Sequence, residues 1–151
     1  MLNKIIKLIL KIFGIYSEEE TKDINYDKKN LMSDYEKNFY LKIRDLKNNY
    51  EIVPQLALAS VIKKTSKYKY QNELYKIIDF AIFSKDYDEL LLLIEINDNS
   101  HNKIERKERD LKVKKICQNA NIKLITFYTK YPNEKEYIIK RIKSEIESTI
   151  K

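Results

Sequence analysis

Hydrophobic positions along the chain switch between a helical and an extended period, and the switches divide it into seven elements. From Ser33 onward, Phe39, Ile43, Leu46 and Tyr50 recur at helical spacing. Ser33-Asp34-Tyr35-Glu36 has the S-x-x-E pattern that satisfies the first free N–H groups of a helix, which predicts one over about 34–49. Residues 51–61 read as extended, and Pro54, which lacks an amide donor, directs that strand to a sheet edge. Segments 74–83 and 90–97 are apolar runs too short for helices and are predicted to be buried strands, joined by the polar residues 84–89. A helix start at Asn102 leads into the stripe Val113, Ile116, Cys117 and Ala120, ending near 119 and placing Cys117 in the core. Residues 122–127 form another strand pattern. Pro132-Asn133 opens a last helix whose inner side carries Ile138, Ile142, Ile146 and Ile150. The order α-β-β-β-α-β-α predicts an α/β fold with a mixed four-stranded sheet and helices on both sides.

Two N-terminal segments stand apart from this pattern. In residues 2–13, Lys4, Lys7 and Lys11 share one side of a helix filled elsewhere by Ile, Leu and Phe. Such a segment falls short of the roughly 20 residues that span a bilayer, and no small-residue cleavage site follows it. Two readings stay open: a basic amphipathic helix lying at a membrane surface, or a helix packed on its own domain or a partner. Tyr16 to Met32 is polar and includes Glu18-Glu19-Glu20, which reads as a linker. The expected division is an N-terminal helix in 1–15, a linker in 16–32 and one α/β domain in 33–151.

Composition narrows the chemistry. One cysteine and one histidine, His101, leave no zinc cluster, disulfide framework or Cys/His nucleophile, and point to a reducing, cytoplasmic setting at most peripheral to the inner membrane surface. A single glycine, Gly14, leaves no Gly-rich loop to cradle a nucleotide phosphate. The net charge of +7 suits an anionic partner, DNA or an acidic membrane. Lysine is abundant throughout while arginine occurs only at 44, 106, 109 and 141, so compositional bias is an equal explanation of that charge. The basic, aromatic run from Lys63 to Tyr70 reads either as a phosphate-contacting loop or as a solvated connection.

Two acids lie where acids are costly. Asp79 interrupts Ile77-Ile78-Asp79-Phe80-Ala81-Ile82-Phe83, and Glu95 interrupts Leu91-Leu92-Leu93-Ile94-Glu95-Ile96. A carboxylate among buried apolar neighbours calls for a metal ion or a paired base. A hairpin symmetric about Tyr87 sets position 79 opposite 95, with Cβ atoms roughly 5 Å apart, whereas a slip of one residue sends the acids to opposite faces.

This element order, with an acid in the second strand and another in the third, resembles the core of the PD-(D/E)XK restriction-endonuclease-like nucleases. More specific is Leu93-Ile94-Glu95-Ile96-Asn97-Asp98-Asn99-Ser100-His101, followed by Glu108-Arg109-Asp110. It resembles the pattern I-E-L-D-x-x-S-H and then E-R-D of the family catalogued as domain of unknown function twenty-seven twenty-six, a relative of the very-short-patch-repair-type nucleases. The resemblance spans about residues 31–130. It implies that Asp79 and Glu95, with the carbonyl of Ile96, hold Mg²⁺ or Mn²⁺ for hydrolysis of DNA phosphodiester bonds. It sets Asn97 where the superfamily has lysine and this family usually aspartate. Asparagine supplies no charge, so Lys103, Arg106 or Arg109 is a candidate for the missing cation. His101 is placed to donate a proton, orient Asp98 or contact phosphate. Glu36 occupies the place of an extra acid as well as the capping box, Gln55 lies beside the site, and Arg106 and Asp110, one turn apart, suit an ion pair. The alternative expectation is a catalytically degenerate nuclease fold that binds nucleic acid or protein.

Overall fold

The computed structural model describes Ile6 and residues 26–66, 72–97 and 104–149, and of residues 104–107 the backbone alone. The first helix, α1 (Asp34–Ile43), opens on the expected capping box: the Ser33 hydroxyl accepts from the Glu36 N–H at 3.3 Å, and the Glu36 carboxylate accepts from the Ser33 N–H at 2.6 Å. It tightens into a 3-10 turn over Arg44–Asn48. Then follow β1 (Glu51–Ala57), β2 (Ile77–Phe83), β3 (Leu90–Asn97), α2 (Ile104–Asn119), β4 (Leu124–Tyr128) and α3 (Lys135–Glu147). This is the element order that the hydrophobic pattern predicts.

The differences lie at boundaries. The first strand stops at Ala57 because Leu58 turns inward in a short 3-10 turn and is fully buried. Residues 74–76 precede the second strand, since Asn72–Tyr75 forms another 3-10 turn around buried Leu74. The last helix begins at Lys135, because Asn133 adopts a left-handed backbone (φ 47°) and cannot continue a helix.

The sheet order is β1-β2-β3-β4, with the first three strands antiparallel and β4 parallel to β3. Pro54 lies on the edge strand, as its missing donor requires. On one face, Phe39 and Ile43 of α1 and Ile138, Ile142 and Ile146 of α3 pack on Phe80, Ile82, Leu92, Ile94, Ile125 and Phe127. On the other, Val113 and Cys117 of α2 close over Ala81 and Leu93 beside Ile78, Leu58 and Leu74. Covering on both faces explains why β3 reads as a continuous apolar run.

The segment 2–13, apart from Ile6, and the linker up to residue 25 lie outside the described residues. Among those described, Met32 packs against the first core, and no helix is long and apolar enough to cross a membrane.

Candidate functional site

The sheet forks at Asp79. β2 pairs with β1 down to Ile77, but its ladder with β3 ends at Phe80↔Ile94. Continuing that register sets Asp79 opposite Glu95, in agreement with the hairpin centred on Tyr87. Beyond this point the Asp79 side chain replaces a backbone acceptor: its Oδ2 accepts the Ile96 N–H at 2.6 Å. N–H and C=O of one strand residue face the same side, so the Ile96 carbonyl also faces the fork.

β2 and its paired neighbour β1 both change face at this level. In β2, Ile78 joins the second core while Phe80 and Ile82 join the first; in β1, Ile52 joins the first core while Val53 and Leu56 pack on the second. Gln55, which stands between Pro54 and Leu56 opposite Asp79, absorbs the change with a left-handed backbone (φ 54°). A glutamine in that conformation costs about 1–3 kcal/mol, and such strain gathers at functional positions.

Glu36 completes the cluster from the first turn of α1. Its carboxylate accepts from the Ser33 backbone and hydroxyl, from Gln55 Nε2 at 3.2 Å, and from the Asp79 carboxyl. The two roles weighed for Glu36, cap and extra acid, are therefore compatible, and Gln55 does lie beside the site. Burial pushes the Asp79 carboxyl upward, to about 7; the Ile96 N–H opposes this, and the charges of Glu36 and Glu95 add to it. Glu36 is held below its ordinary value: burial acts upward, but the hydrogen bonds from Ser33, Asp79 and Gln55 outweigh it. These opposite shifts favour a proton held on Asp79 and donated to the Glu36 carboxylate.

Glu95 is matched by a base that sequence reasoning missed. Lys76 Nζ, just ahead of β2, lies 2.9 Å from its Oε1, with the glutamate side chain 12% exposed. The signal was present: a lysine three residues before Asp79, at the polar margin of the same apolar run. Glu95 also acts on α2, where its charge adds to burial in pushing the Cys117 thiol up to about 11. Cys117 is therefore a core residue, as its helical position predicts.

The remaining candidates divide. Asn97 follows Glu95 along β3 and makes a long 3.5 Å contact from Nδ2 to Asp110 of α2, so among the described side chains Asp110 faces the strand end. Arg109, next to Asp110 in the chain, lines a groove of about 520 Å³ with Lys76, Lys112, Tyr75 and Glu73. Asp98, His101, Lys103 and the side chain of Arg106 lie outside the described residues, and so does the proposed Arg106–Asp110 pair. Of the Lys63–Tyr70 run, residues 67–70 lie outside as well, and Lys64 pairs with Glu73 at 2.7 Å.

Chemically, hard carboxylate oxygens crowded enough to retain a proton suit Mg²⁺ or Mn²⁺. Among the described residues no group of three or more His, Cys, Asp or Glu side chains is arranged to hold a metal. Loading one here requires Asp79 to lose its proton or Glu95 to leave Lys76.

No curated protein and no solved structure matches the chain. A family model does match, over residues 28–149, starting five residues before the domain boundary expected at Ser33 and running through α3. With that match covering most of its length, the chain belongs to the family described as protein of unknown function (DUF2726).

Proposed function

We propose that the forked end of the sheet is a metal-dependent phosphodiesterase centre acting on DNA, carried by a restriction-endonuclease-like core. The observation that carries this reading is the convergence on Asp79 of two further acids from separate elements, Glu36 of α1 and Glu95 of β3, whose charges add to burial in favouring a proton on it. That arrangement opposes self-association of charge unless a cation compensates it.

Asp79, Glu95 and the Ile96 carbonyl would hold Mg²⁺ or Mn²⁺, which would supply a water of lowered pKa and neutralise charge on the scissile phosphate. The chain's own groups prepare for this. The Ile96 N–H fixes one Asp79 oxygen, while Gln55 and Ser33 fix Glu36. Lys76, oriented by Glu95, supplies the positive charge that Asn97 lacks and is in place to orient a water or a phosphate oxygen. Arg109 and Lys112, along the adjoining groove, suit flanking phosphates, which position a strand without reading its bases.

The test is cleavage of supercoiled plasmid and of single-stranded DNA in Mn²⁺ by the full chain. Cleavage should fall at least about 100-fold in Asp79→Asn and in Glu95→Gln, as for removal of a charge-stabilising group. Equal cleavage by the variants and the parent protein refutes the assignment.

A second reading, a degenerate site that serves binding alone, is favoured by the Lys76–Glu95 pair and the Ile96–Asp79 bond, which satisfy both acids internally. It predicts DNA binding unaffected by EDTA, together with no heat of Mn²⁺ binding by calorimetry.

A further inference from the structure

At the same end of the sheet, on the α3 side, β4 runs out into Tyr128-Thr129-Lys130-Tyr131-Pro132-Asn133, and the chain closes a pocket of about 560 Å³. Its size is that of a small-ligand site, and it lies beyond the carboxyl ends of the parallel strands β3 and β4, where open α/β sheets bind ligands.

The pocket is aromatic. The Tyr131 ring stands at 83° to Tyr128, and Tyr137 at 86° to Phe127, so each exposed ring is braced edge-on by a neighbour. Tyr131 and Tyr137 are 55% and 53% exposed. Cations border the rings: Lys130 Nζ lies 5.0 Å from the Tyr131 centroid, and the Arg141 guanidinium lies 4.7 Å from that of Phe127 while donating to the Thr126 carbonyl at 3.1 Å.

The loop is held in place. Asn133, 4% exposed, donates from Nδ2 to the Tyr128 carbonyl at 2.9 Å and to Tyr35 Oη at 3.0 Å, and its own carbonyl accepts from Lys42 at 2.8 Å. A smaller hollow of about 240 Å³ shares Tyr131, Pro132 and Asn133 with the pocket and reaches Tyr35, the neighbour of Glu36.

We infer that this tyrosine pocket is a stacking subsite for an unpaired nucleobase of a single-stranded nucleic acid. Flat π-faces receive any base, and bordering cations receive the phosphates on either side of it. A base in a duplex has both faces stacked and cannot enter. The choice of occupant rests on the nucleic-acid reading above, but binding here requires neither a metal nor cleavage.

The experiment is fluorescence anisotropy of the full chain with a short labelled single-stranded oligonucleotide in EDTA. Controls are the same strand with abasic positions, the same sequence as a duplex, and anionic phospholipid vesicles. Tyr131→Ala and Tyr137→Ala should each weaken single-strand binding about tenfold, and Tyr131→Phe should preserve it. Circular dichroism should show all three folded, since both rings are exposed. Alanine variants that bind within twofold of the parent protein, an abasic strand that binds as well as the normal one, or binding to vesicles alone would each overturn the subsite. Ring-dependent binding without Mn²⁺ cleavage removes the hydrolase reading only, and cleavage with ring-independent binding removes the subsite only.

Discussion

Replacing Asp79 by asparagine keeps the shape of the fork and removes its titration. The amide oxygen can still accept from the Ile96 N–H, and the amide nitrogen can still donate to Glu36. In the folded parent protein burial pushes the carboxyl up to about 7, against an ordinary value of 3.8. Between these values the native state holds a proton that the unfolded chain has lost, so stability falls as pH rises across that window and the full penalty applies above about pH 7. Three units at about 1.36 kcal/mol each set a ceiling of about 4 kcal/mol. The carboxyl is only partly removed from water, which reduces the expected effect to roughly 2–3 kcal/mol. Asp79→Asn should therefore match the parent protein near pH 4 and exceed it by that amount near pH 8. Urea unfolding followed by circular dichroism at the two pH values measures both. A parent stability that is flat across the window, or a variant no more stable than the parent near pH 8, would refute the shared-proton account.

Other consequences are independent of that proton. Gln55→Val puts a β-branched residue at φ 54° and should cost roughly 1–3 kcal/mol, whereas Gln55→Gly relieves the strain and should stay within about 1 kcal/mol of the parent in urea melts. Equal costs for the two would mean that the backbone there is unstrained. Ser33→Ala removes the hydroxyl half of the capping box and should lower stability by about 1 kcal/mol; no shift in the denaturation midpoint would show the cap to be idle. Ile94→Ala opens a cavity in the middle strand and should cost about 2–5 kcal/mol, with an unchanged melting temperature as the contrary result. Cys117, 1% exposed and with a thiol pushed up to about 11 by burial and then by Glu95, should react with a thiol reagent only at the rate of unfolding. Immediate labelling of the native protein would place it at the surface.

How far the site was readable depended on the range of the interactions. Asp79 and Glu95 stood out because a charged residue in an apolar run breaks a local pattern, and their pairing followed from the symmetry of a single hairpin. The Ser33–Glu36 cap is a four-residue motif and was equally plain. Lys76 was missed because a lysine before a strand is unremarkable until the fork brings it to Glu95, nineteen residues away in the chain. The tyrosine pocket was missed for a related reason. Tyr128, Tyr131, Tyr137 and Arg141 lie on a strand, a loop and a helix, and each ring alone reads as ordinary amphipathic surface.

Hydrophobic periodicity by itself determined the α-β-β-β-α-β-α order, the two-sided burial of β3 and the presence of two acids needing compensation, because each is expressed within a few residues of the chain. Only the tertiary structure decided which groups compensate them. The fork at Asp79, the face change at Gln55, the proton shared with Glu36 and the approach of Lys76 arise where separate elements meet, and the energy of a charge depends on what stands beside it in space.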